Sequence, residues 1–251
     1  MIFVAGTDFG SGKTTLAAAL VRRLRALEVR AIGIKPIATG CTHGEDHDLV
    51  PPDAERLRVA STPPRLPLDV VAPYRFPERL EPALAAEVSG LELTLADLAA
   101  AIDSARGFGD LVVIEGAGGA LSALAADGLG LDLAQRLGAT LLIAAKDEPG
   151  APSQTLLIIE AARRRELPIA GVVLVQVAPA APTPEILLEH SNAALIRARG
   201  GVRVFGPLPH VPVEPGADGH PAIAAAAEAF LTSEGLAEAV LESLRSPSRP
   251  K

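Results

Sequence analysis

Residues 4–24 read VAGTDFGSGKTTLAAALVRRL. An apolar run, MIFVAG, enters a glycine-rich turn, and the amphipathic stretch TTLAAALVRRLRALEV leaves it. This is the strand–loop–helix context of a phosphate loop, in which backbone N–H groups and a helix N-terminus face an anion. The usual spacing G-x-x-x-x-G-K-[ST] would put its first glycine at position 7. Thr7 stands there, and the glycine comes one residue earlier, as Gly6. Gly10, Ser11 and Gly12 allow the backbone to approach phosphate closely. Lys13 can reach the β- and γ-phosphates, the Thr14 hydroxyl can ligate Mg²⁺, and Thr15 follows in the same turn. The expected ligand is therefore a nucleoside triphosphate with Mg²⁺.

Working outward, short apolar runs alternate with helical patterns. AIGIKPIA, DLVVIEGAGG, TLLIAAKD, IAGVVLVQVA and VRVFGPLP read as strands. LTLADLAAAIDSAR, GLDLAQRLG, SQTLLIIEAARRREL and PEILLEHSNAALIRARG read as helices, and residues 224–245 as one more. The pattern predicts an α/β fold of the P-loop NTPase type, a mainly parallel sheet between helical layers with right-handed crossovers. Residues 1–245 are expected to form one domain, and 246–251 a disordered tail. The Pro- and charge-rich stretch 42–82 shows no core pattern and reads as an insertion near the active site.

In open α/β sheets ligands lie beyond the carboxyl ends of the strands. Lys13, Lys35, Glu115 and Asp147 all fall at or near such ends, and Glu115 leads into the turn Gly116-Ala117-Gly118-Gly119. Their convergence is the main sign of a site.

Composition narrows the function. Of 251 residues 49% are apolar and only 3% aromatic, enough for a large aliphatic core. A net charge of −7 argues against a generic nucleic-acid or anionic-membrane binder. The run Arg163-Arg164-Arg165 reads as a solvated helix end. No apolar run reaches membrane-spanning length, and the N-terminus lacks the basic region of a signal peptide. The one cysteine, Cys41, excludes an internal disulfide and suits a reducing cytoplasm. Cys41, His43, His47 and Asp48 crowd one loop but lack the paired spacing of a zinc site.

The motifs together resemble those of the dethiobiotin synthetase family. G-T-D-x-x-x-G-K-T is matched by Gly6 to Thr14, displaced glycine included. K-P-x-x-[ST]-G is matched by Lys35 to Gly40, E-G-A-G-G by Glu115 to Gly119, and P-Y-x-F by Pro73 to Phe76. Asp8 occupies the place of the second loop lysine of the partition ATPases, which argues against that relationship.

The resemblance implies a homodimeric, ATP- and Mg²⁺-dependent cyclo-ligase acting on 7,8-diaminononanoate and CO₂. It implies phosphate neutralisation by Lys13, and carbamate neutralisation by Lys35. Mg²⁺ would be held by Thr14, Glu115 and Asp53, with Asp46 and Asp48 as competitors for the third place. Thr7 and Thr39 would contact the substrate amines or carbamate. Gly150, Ala151 and Ser153 would hold the substrate carboxylate from the partner subunit. Gly116, Ala117 and Gly118 belong to the nucleotide site, and Val175, Gln176, Leu208, Pro209 and His210 to its base end. The chain departs from the family's pattern at Ser153, Gln154 and Val175, where Asn, His and Asn are usual, and at Ala83 and Ala123. The rival readings are a related ligase with another substrate, and a regulatory or scaffolding ATPase.

Overall fold

A computed structural model describes residues 1–44, 48–61, 66–179, 184–212 and 220–245, with the backbone alone over 184–191. Six strands make the central sheet: β1 (Ile2–Gly6), β2 (Ala31–Ile34), β3 (Leu111–Glu115), β4 (Thr140–Lys146), β5 (Ile169–Val175) and β6 (Val204–Leu208). Their order is β6-β5-β4-β1-β3-β2, and every pairing is parallel. The chain thus winds to one side of β1 and then to the other. Such a reversal leaves a crevice at the carboxyl ends of the central strands.

The strands are buried on both faces, which explains their continuous apolar runs. The main helices are α1 (Lys13–Ala26), α2 (Pro52–Ala60), α3 (Leu95–Ala105), α4 (Gly130–Arg136), α5 (Ala151–Arg164), α6 (Pro184–Gly200), α7 (Pro221–Ser233) and α8 (Leu236–Arg245), with shorter helical segments at Leu68–Val71 and Pro82–Val88. The start of α3 is fixed by a capping box. The Thr94 hydroxyl accepts from Asp97 N, and the Asp97 carboxylate accepts from Thr94 N.

Three expectations change in detail. AIGIKPIA is not one strand. Proline has no N–H to give a ladder, and at Pro36 the chain leaves the main sheet. Residues Ile37–Ala38 pair instead with Tyr74–Arg75. Lys35 stands at this break, its backbone N–H on Val71 O. Residues 224–245 are not one helix, since Gly235, at φ 61°, separates α7 from α8. The stretch 42–82 does contribute to the core: Ala54, Leu57 and Ala60 are fully buried, and α2 packs on α1 and β2. Three buried apolar positions on a nine-residue helix, with Val59 apolar but exposed, are too few to register as a period. Asp46, His47 and the 246–251 tail lie outside the described residues.

Among the described residues no helix is long and apolar enough to cross a membrane. Two of the three arginines of the 163–165 run are engaged. Arg163 donates to Gly200 O, and Arg165 bonds Asp132 at 2.7 Å.

Candidate active site

The phosphate loop joins the end of β1 to the start of α1. The helical ladder begins where Leu16 N–H meets Gly12 O at 2.9 Å. The first-turn N–H groups of Lys13, Thr14 and Thr15 therefore have no partner inside the helix. Lys13 is buried, folds back over Gly6 and donates to Asp8 O at 2.8 Å. A Cβ on Gly6 would lie 2.7 Å from the Lys13 Nζ, so the glycine makes room for the lysine. Gly12 has φ +82°, and a Cβ there would sit 2.8 Å from Val175 Cγ1. Val175, at the end of β5, thus packs its methyls on the loop.

Beside the loop, polar side chains from four separate segments meet. Lys35 Nζ lies 2.7 Å from Glu115 Oε1 and 2.6 Å from Asp53 Oδ2. The Thr14 hydroxyl donates to the same Glu115 oxygen at 2.7 Å. Glu115, at the end of β3, is 1% exposed, and Lys35 is 8% exposed. Burial works against the Lys35 ammonium, but Glu115 and Asp53 outweigh it and hold its pKa above the ordinary lysine range. Asp53 likewise loses solvation, yet Lys35, Arg56 and Thr14 keep its carboxyl below the usual range. Lys13 has no carboxylate within bonding distance, and burial brings its pKa down to about 8.

Several buried polar atoms here lack a protein partner: Ser11 Oγ, Thr7 Oγ1 and Glu115 Oε2. Leaving such groups unpaired is costly, and all three belong to the loop or its neighbour. Glu115 Oε2, the Thr14 hydroxyl and Asp53 form a set of hard oxygen donors, the kind Mg²⁺ takes. The donor set fits Mg²⁺, and the unpaired N–H groups fit phosphate.

The remaining sequence candidates fall around this centre. The turn at Gly116–Gly118 is tied to β1 through Gly116 N on Val4 O and Ala120 N on Gly6 O. Thr39 follows the short strand Ile37–Ala38, and the next residue, Gly40, bonds Glu78 O. Gln176 N donates to Leu208 O, so Val175, Gln176 and the 208–210 segment are neighbours at one edge. Gly150, with φ 94°, caps α5, behind which Ala151 is buried and Ser153 exposed. Asp147 does not join the lysines by any of these bonds; it accepts from Asn192 Nδ2 at 3.0 Å. Asp48 is exposed, and its carbonyl accepts from Gly44 N. Of the candidates for a third metal ligand, Asp53 is the one found in the cluster.

Sequence reasoning missed Arg56, whose Nη2 donates to Thr15 Oγ1 at 2.8 Å. Its signal was its position three residues after Asp53, on the same helix face.

A family model described as an AAA domain matches residues 1–214. The chain is 41% identical to the ATP-dependent dethiobiotin synthetase BioD of Anaeromyxobacter dehalogenans, over 85% of this chain and 90% of the relative. The chain belongs to the dethiobiotin synthetase family. A second relative of the same name, from Anaeromyxobacter sp. strain K, is 42% identical over 71% of this chain and 77% of its own length. Among solved structures, cobyrinic acid a,c-diamide synthase from Mycobacterium smegmatis covers 99% of this chain and 96% of its own, with a TM-score of 0.51. At 16% identity this likeness concerns the fold alone.

Proposed function

We propose that the protein is an ATP-dependent dethiobiotin synthetase, closing the cyclic urea of dethiobiotin from 7,8-diaminononanoate and CO₂. The observation that carries this reading is the buried Lys35, fixed between Glu115 and Asp53 beside the phosphate loop. A nucleotide switch has no need of a second buried lysine there.

One amine of the substrate takes up CO₂ and loses a proton, giving a carbamate. Lys35 neutralises that anion, and Thr7 and Thr39 hold its oxygens or the amines. A carbamate oxygen then attacks the γ-phosphorus of ATP, and ADP leaves. The second amine attacks the carbamoyl carbon of the mixed anhydride, inorganic phosphate departs, and the ring closes. The work of the protein is positioning and charge neutralisation. Lys13 and the free N–H groups of Lys13 to Thr15 receive the phosphates. Thr14, Asp53 and Glu115 would hold Mg²⁺, which offsets negative charge on the transferring phosphoryl group when bound.

The substrate carboxylate is held at the start of α5, where a helix N-terminus favours an anion. Gly150, Ala151 and Ser153 reach it from the second subunit of a homodimer, the Ser153 hydroxyl serving in place of the family's Asn. The unpartnered face of α5 supports this: Leu157, one turn beyond Ser153, is 64% exposed. The enzyme acts in the cytoplasm, as one α/β domain. The test is substrate-coupled turnover. Phosphate release in ATP and Mg²⁺ should depend on both bicarbonate and the diamino acid; release indifferent to them would refute the reading.

A further inference from the structure

Arg56 has no part in the reaction as described, yet it touches the machinery. Asp53 and Arg56 are three residues apart on α2 and so share a face. That face meets two successive hydroxyls of α1. Asp53 lies within hydrogen-bonding reach of Thr14, and Arg56 Nη2 is 2.8 Å from Thr15 Oγ1. The neighbouring Arg58 makes no such crossing. It bonds Glu55 within α2 itself, at 2.7 Å.

We infer that Arg56 is a positioning residue, clamping the first turn of α2 to the first turn of α1 so that the Asp53 carboxylate is held at a fixed place beside the phosphate loop. A clamp has work to do here. At nine residues α2 is too short to be stable alone. Its N-cap, Pro51, makes no side-chain cap bond. Ala54, Leu57 and Ala60 anchor its inner side in the core. The far end of α2 is tied by Arg25 Nη1 on Ala60 O and by Gly33 N on Ser61 Oγ, and a tilt of its first turn about that end would carry Asp53 with it. The bond to Thr15 ties that motion to the loop. Arginine suits the role, because its planar fork is always charged and loses little freedom when bonded. Thr15 can accept from Arg56 and still donate its own proton elsewhere.

This inference rests on the proposed Mg²⁺–ATP site. The test measures binding of a non-hydrolysable ATP analogue as Mg²⁺ is varied, for wild type, Arg56→Ala, Arg56→Lys and Thr15→Val. Partners that orient metal ligands typically change metal affinity about 10–100-fold when removed. Arg56→Ala should therefore raise the half-saturating Mg²⁺ about tenfold, with Mg²⁺-free nucleotide binding changed by less than about twofold. Arg56→Lys should recover part of the loss, and adding Arg56→Ala to Thr15→Val should cost little more. In metal-free protein, amides of residues 53–60 should exchange faster in Arg56→Ala than in wild type. If wild type shows no Mg²⁺-dependent nucleotide binding, the proposed function fails and the clamp with it. If wild type binds and Arg56→Ala needs no more Mg²⁺, the clamp alone is overturned. An equal loss of affinity with and without Mg²⁺ would overturn it too, since Arg56 would then contact phosphate directly. Should Arg56→Ala not fold, Arg56→Lys and Thr15→Val decide by the same Mg²⁺ titration.

Discussion

Lys35 and Glu115 form a buried ion pair, Nζ to Oε1 at 2.7 Å, across 80 residues of sequence. The relationship has two consequences. In the proposed reaction Lys35 neutralises the carbamate, and in the structure it compensates a carboxylate that water cannot reach. Lys35→Ala should therefore abolish ring closure while leaving ATP binding in place. In metal-free protein it should also cost about 3–5 kcal/mol of stability, the usual effect of stranding a buried charge. Thermal unfolding with and without Mg²⁺ checks this. Stability largely restored by Mg²⁺ is expected; full activity in the variant would mark Lys35 as an ordinary loop lysine.

Lys13 packs over Gly6 rather than into the aliphatic core. Lys13→Ala should keep the fold, by circular dichroism, and lose about 10²–10³-fold in ATP turnover, the typical cost of removing one charge-stabilising donor. A folded variant with unchanged turnover would remove the phosphate cradle from the account.

The family resemblance would put Val175 at the base end, where its methyl groups replace an Asn able to pair with adenine. Its methyls lie on Gly12. Selectivity should therefore be weak, with GTP and CTP partly replacing ATP. Turnover with the four nucleoside triphosphates is the measurement. A preference for ATP above about a hundredfold, ~2.7 kcal/mol, would mean that another group reads the base.

Ser153 and Leu157 lie on one exposed face of α5. If this face forms the proposed dimer seam, wild type should sediment as a dimer and Leu157→Arg as a monomer, with product formation reduced more than nucleotide binding. A wild-type monomer with full activity would contradict the shared site.

Asp132 accepts from Leu129 N at the start of α4 and pairs with Arg165. Partial burial opposes its charge, but the Leu129 N–H and Arg165 outweigh burial and lower its pKa. A depressed carboxyl stabilises the fold above its unfolded pKa of about 3.9 and loses that effect as pH falls through the folded value. Asp132→Asn should thus cost ~1 kcal/mol at pH 7. The gap from wild type should close below about pH 4 in denaturant titrations. A gap independent of pH would show that the carboxylate charge is not responsible.

The phosphate loop and Glu115 were legible because each is a contiguous motif at the end of an apolar strand. Lys35 was legible for the same reason, although Pro36, not a strand end in the main sheet alone, is what sets it free. The Arg56–Thr15 bond was not legible, since it joins residues 41 apart through the packing of two helices. The role of α2 was hidden by its brevity. Gly235 falls inside the stretch 224–245 expected as one helix, whereas its left-handed backbone ends one helix and lets another begin. Ser153 and Val175, proposed for the two ends of the site, lie outside the motifs that identify its centre, so those motifs do not fix them.

The central claim is urea formation at the cluster of Lys13, Lys35, Asp53 and Glu115. Its most direct test supplies the purified protein with ATP, Mg²⁺, ¹³C-bicarbonate and 7,8-diaminononanoate, and follows the product by mass spectrometry. The account predicts dethiobiotin carrying a single ¹³C in its ring carbonyl, with one ADP formed per molecule. ATP hydrolysis without labelled dethiobiotin would contradict it.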